Sequence, residues 1–120
     1  MESFRLKPCG TLPGDPVVNR EGVELGVLEH VMLDVQGGRI AYAVVARGGV
    51  LGIGERLYAV PWQLVRRDAA SCCFVVDIAP EALDAAPSFE RRQWPVMDSD
   101  WSERVHAHFG ACAAPLLREA

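Results

Sequence analysis

Four cysteines are scattered through 120 residues without a single C-x-x-C pair. Cys72 and Cys73 are neighbours that would point to opposite faces of a strand, while Cys9 and Cys112 lie near the two ends. No histidine stands at ligand spacing from two cysteines, which argues against a zinc site. A Cys9–Cys112 bridge would need an oxidising compartment that no other feature calls for, so free thiols in a reducing one are expected. No apolar run approaches the ~20 residues that cross a bilayer. The N-terminal MESFRLKPCG also lacks the apolar stretch of a signal peptide. The expectation is a soluble, cytoplasmic protein that does not engage a membrane.

An excess of basic charge is missing as well. Residues 1–76 hold eight acids and eight bases, residues 77–117 hold seven acids and three bases, and Arg118 offsets Glu119. The net charge of −4 therefore sits in the C-terminal third. Such a chain lacks the basic footprint of a nucleic-acid binder. Arg66-Arg67 and Arg91-Arg92 are its only local basic clusters, and each is expected to be a solvated turn. What the chain does have is apolar content: half of its residues are hydrophobic, enough for one folded domain.

The apolar residues are arranged as a meander of strands. Asp15 to Asn19 reads as a short strand ended by an Asn19–Gly22 turn. From Leu25 the odd positions Leu25, Val27, Val31, Leu33 and Val35 form an apolar face broken by Glu29, the period-2 pattern of a half-buried strand. Gly37-Gly38 makes a hairpin turn. Ile40 to Arg47 is apolar on both faces and is expected to be a central strand. Arg56 to Pro61 follows, ended by a proline that cannot donate to the ladder, then one helical turn at Trp62–Val65. Cys72 to Ile78 is the last strand, and Pro80–Leu83 a short helix with proline at its first position. Ala85 to Met97 reads as an extended segment pinned by Phe89 and Trp94. A helix begins in Asp98-Ser99-Asp100, with Asp100 and Glu103 at capping-box spacing, carries the stripe Trp101, Val105, Phe109, and is expected to stop at Gly110.

Together these residues resemble the PRC-barrel family, a module shared with the H subunit of the photosynthetic reaction centre and the ribosome maturation factor RimM. The motifs are Glu24-Leu25-Gly26, Gly38-Arg39-Ile40-Ala41-Tyr42, and the Gly48–Trp62 stretch GGVLGIGERLYAVPW. LDAAPSF (83–89), Trp94-Pro95 and the Trp101–Gly110 helix resemble the helical extension of stand-alone bacterial members. The resemblance spans about residues 10–110. It implies an all-β fold: a small, partly open barrel of five to six strands over 10–79. A helical extension over 80–110, packed on the barrel or on a second copy, and a tail over 111–120 complete it. It also implies a binding or assembly module, not an enzyme, with no catalytic residues to carry over. These 120 residues show neither the membrane helix of the reaction-centre subunit nor the preceding domain of RimM, so the photosynthetic and ribosomal roles are not expected to transfer.

The glycine-rich segment Gly48–Gly54 cannot be a phosphate loop, because a strand follows it where a helix N-terminus is needed. It either folds Val50, Leu51 and Ile53 onto the barrel end or exposes them for association. His30, His106 and His108 are expected to be surface or packing residues. Glu29 pairs with Arg39 or Arg47 at the barrel rim, or faces a ligand. Asp34 and Asp77 close turns, and Trp62, Trp94 and Trp101 anchor core or lid. No cofactor and no metal are expected. The functional expectation is a homodimeric adaptor that engages a protein partner through Val50, Leu51 and Ile53, Tyr42 and Val44 of the third strand, and Trp101. The alternative is a ribosome- or RNA-associated module.

Overall fold

The computed structural model describes residues 6–49 and 54–119, with side chains described as far as Ala111. The described residues form one seven-stranded sheet that curls into a partly open barrel. Its strands are β1 (Pro16–Val18), β2 (Glu24–Asp34), β3 (Arg39–Arg47), β4 (Arg56–Pro61), β5 (Val65–Asp68), β6 (Cys73–Val76) and β7 (Ser88–Phe89), in the order β5-β6-β1-β2-β3-β4-β7. The meander β1 to β4 is antiparallel throughout. A 3₁₀ turn at Trp62–Leu64 then lifts the chain out of β4, and β6 returns to lie parallel to β1 through Val17↔Phe74. Helix α1 (Pro80–Asp84) leads to β7, which caps the edge of β4, and α2 (Ser99–Glu119) follows.

The central strand behaves as its composition requires: Tyr42 to Ala46 are all buried. Directly opposed residues share a face, so the register sorts the core into two layers. Ala43 with Val60 and Val45 with Tyr58 lie on one face, Tyr42 with Pro61 and Val44 with Ala59 on the other. The second face is covered by the extension. Trp101 meets Tyr42 edge-on at 5.2 Å between ring centroids, and the stripe Trp101, Val105 and Phe109 is buried.

Strand β2 departs from strict alternation. Leu25 and Leu28 are its buried residues, whereas Val27 and Leu33 are exposed. Irregular register at Leu28/His30 and Met32/Leu33 resets the facing of each following residue, which is what a bulge does to a period-2 pattern. Strand β5 is absent from the sequence reading because Arg66, Arg67 and Asp68 offer no apolar face; β6 supplies the pairing. Arg66-Arg67 is therefore strand and not a solvated turn. Cys72, at φ 53°, belongs to the preceding turn, so β6 starts at Cys73. Gly110 does not end α2: it keeps a negative φ and the helix runs on to Glu119. The cap is Asp98 rather than Asp100, since its Oδ1 accepts from Trp101 N at 2.9 Å.

Candidate functional site

Of the residues expected to form an interface, Val50, Leu51 and Ile53 lie outside the described residues. Tyr42, Val44 and Trp101 are placed together, but inward: they are 8%, 0% and 5% exposed. The Tyr42 hydroxyl stands 2.9 Å from Ser102 Oγ and 3.1 Å from His106 Nε2. These three side chains clamp the extension onto β3 and β4, and a partner cannot reach them while α2 is in place. The physical reason is the one that made them attractive: an apolar outer face is covered by the nearest apolar helix, here the chain's own.

Ion pairs lock the same arrangement at the rim. Glu29 accepts from Arg91 of the extension, at 2.9 Å from Nε, rather than from Arg39 or Arg47. Arg91 also reaches Glu55 at 2.5 Å, ahead of β4, so one guanidinium joins two strands to the extension. The hydrogen bond from Arg91 holds the Glu29 carboxyl below its ordinary value, and the Glu29 and Glu55 carboxylates raise the Arg91 guanidinium. Arg47 reaches Asp84 of α1 through both Nε and Nη2 and donates from Nη1 to the Leu25 carbonyl. The Asp84 carboxyl is lowered in turn by its bond to Arg47. Trp94 packs on Phe89 and His30, and the His108 ring nitrogen stands 2.7 Å from the Ala82 carbonyl. Each of these polar groups is engaged in holding the barrel and extension together.

Two regions of surface remain. Strand β2 projects past its neighbour: β1 pairs with it only as far as Val27, with further backbone bonds between Leu28 and both Gly14 and Asp15. From Glu29 to Asp34 it has β3 on one side and no strand on the other among the described residues. Leu33 and Val35, at the end of this arm, are 52% and 84% exposed. The second region is a groove of about 450 Å³, walled by Leu12, Ile40, Trp62 and Phe74, with Lys7 and Arg67 at its margin. Neither was evident from sequence. Strict alternation put Leu33 inside, and the groove assembles residues from across the chain.

No group of three or more potential metal ligands occurs among the described residues, and none of their helices is long and apolar enough to cross a membrane. A PRC-barrel domain model matches residues 9–81, more than half of the chain. The chain belongs to the PRC-barrel family. The match covers β1 to β6 and ends within α1; β7, which pairs with β4 at the edge of the sheet, and α2 lie beyond it. Comparison with curated proteins finds no match. Among solved structures, the PRC-barrel chain is similar to a protein described as a 16S ribosomal RNA processing protein, RimM, from Pseudomonas aeruginosa. The two share 23% identity with a TM-score of 0.42, over 62% of this chain and 45% of that one. The chain thus spans less than half of that protein's length.

Proposed function

We propose that this PRC-barrel is a non-catalytic assembly module that forms a homodimer and engages a protein partner, with the open edge of β2 as the contact. The observation that supports this reading is the six-residue arm Glu29–Asp34, without a strand on one side among the described residues, with exposed Leu33 near its end and exposed Val35 in the turn beyond. An unpaired edge presents a row of N–H and C=O groups, and natural proteins usually charge, bend or cover such edges. Here two bulges bend the arm and Glu29 and Asp34 charge it, but Leu33 and, in the turn beyond, Val35 are left exposed. A second β2 laid antiparallel about a two-fold axis would satisfy both edges at once, because such a contact is self-complementary and closes. The same edge can add a strand from a different protein.

Light scattering on a sizing column tests the dimer. The expected mass is twice the 13.1 kDa of the single chain. The double variant Leu33→Lys, Val35→Lys should return it to the single-chain value while leaving the melting temperature unchanged, since both side chains are exposed. A single-chain mass for the unaltered protein at micromolar concentration would overturn the dimer.

A further inference from the structure

The groove at the barrel mouth is distinct from the β2 edge in its chemistry. Its floor is aromatic and aliphatic: Trp62 and Phe74 stand edge to face at 6.1 Å between centroids, flanked by Leu12 and Ile40. Its lining holds two cations, Lys7 and Arg67, and no carboxylate. Arg67 is fixed, with its guanidinium 4.6 Å over the Phe74 ring and its Nη1 donating to Asp15 at 2.8 Å, so part of its charge is already matched. Lys7, the only lysine in the chain, is exposed and makes no ion pair among the described residues. An apolar trough of this size lies within the range of small-molecule sites. Lys7, with no matching acid among the described residues, selects the sign of what enters, because a charge-assisted bond is worth more beside low-dielectric walls than in water.

We propose that this groove binds a small amphipathic organic anion, a free alkyl or aryl carboxylate. Its apolar body would rest against Leu12, Ile40, Trp62 and Phe74, and its carboxylate would meet Lys7, with the Asp15-paired Arg67 beside it. The site lies on β3, β5, β6 and the segment before β1, so it stands whether or not the β2 edge makes a dimer.

The test is a calorimetric titration of the full chain with dodecanoate, kept below the concentration at which it forms micelles, with dodecanol as the uncharged counterpart. Saturation at one anion per chain is expected, with dodecanol at least about ten-fold weaker, the loss of one charge-assisted bond. Lys7→Glu should weaken dodecanoate by a similar factor, and since the exposed Lys7 has no ion pair among the described residues this change should leave folding alone. Cys72→Trp, at an exposed position on the groove wall, should abolish binding. Equal binding of dodecanoate and dodecanol, or affinity unchanged in both variants, would overturn the proposal. So would a Cys72→Trp chain whose mass on the sizing column is half that of the unaltered protein, because the groove would then be occupied by a second copy. If Cys72→Trp does not fold, as judged by circular dichroism, the Lys7→Glu and dodecanol results decide the matter alone.

Discussion

Asn19 shows how much a single side chain can settle. It is the one buried polar residue among the described residues, 4% exposed, and it uses both ends of its amide. Its Oδ1 accepts from Glu21 N and Val23 N, closing the turn between β1 and β2, and its Nδ2 donates to the Ile78 carbonyl beyond β6. Asn19→Ala leaves the buried Ile78 carbonyl without its donor and removes the bonds that close the turn, and should cost about 1–3 kcal/mol, read from urea unfolding. Asn19→Asp keeps the turn but cannot donate to Ile78, so it should also destabilise. Gly26 is constrained differently: a Cβ there would stand 2.3 Å from the Ala46 carbonyl oxygen on the facing strand, and backbone cannot swing aside. Gly26→Ala should therefore destabilise by about 1–3 kcal/mol, the range for overpacking. If either alanine variant unfolds at the urea midpoint of the unaltered chain, the corresponding contact is not holding the sheet. The turn at Asn19 could be read from sequence, but its third bond could not, because Ile78 lies far along the chain and only the fold brings it near.

At the scale of elements, what was legible depended on whether a segment's pattern was decided locally. β4 ends and the 3₁₀ turn begins where Pro61 forces the change, and α1 starts on its proline. The facing of β2 was not legible, because its bulges are answers to its neighbours. Nor was β5, whose arginines are tolerated by pairing with β6, by the Phe74 ring and by Asp15. The extension was half legible. Its apolar stripe was plain, but only the structure shows that it seals β3 and so removes Tyr42, Val44 and Trp101 from any docking surface. Truncation after Met97 should therefore expose this layer. Losing the burial of Trp101, Val105 and Phe109 removes about 1.5–3 kcal/mol for each, so the shortened barrel should unfold or precipitate under conditions in which the full chain is soluble. An unchanged melting temperature would mean that α2 rests on the barrel without supporting it.

The same extension is clamped by carboxylates, which gives its attachment a pH dependence. Glu29 and Asp84 have folded-state values below the ordinary ones near 4.5 and 3.8, each through an arginine, so both bind protons less readily folded than unfolded. Their contribution is fully present above those ordinary values and is lost as pH falls through the lower, folded ones. Stability should therefore decline on the acid side, and Glu29→Gln should flatten part of that decline while lowering stability at neutral pH. Thermal melts from pH 7 down to about pH 3 check this; parallel curves for the two proteins would mean that the Arg91 bridge carries no net weight.

For the whole molecule the decisive quantity is the sign and reach of its charge. The barrel body is balanced, and the excess of acid lies in the C-terminal third. Two copies meeting along β2 would bring together an arm whose exposed side chains are His30, Leu33 and the Asp34 that closes its own turn with Gly37, with Val35 in that turn. Such a contact releases few counterions, and two like-charged molecules repel less as salt is raised. The dimer dissociation constant should stay level or tighten between low and high salt, because the Debye length shrinks from about 30 Å at 0.01 M to about 3 Å at 1 M. Association through nucleic acid has the opposite signature: each phosphate neutralised makes binding fall steeply with salt, by up to several orders of magnitude over a modest range. Sedimentation equilibrium in both salts therefore separates the two classes of role on one protein. A dimer that persists at high salt, together with no co-sedimentation with ribosomes at moderate salt, is the expected outcome. Dissociation on raising salt would point instead to an electrostatic contact, which the exposed apolar end of β2 does not provide.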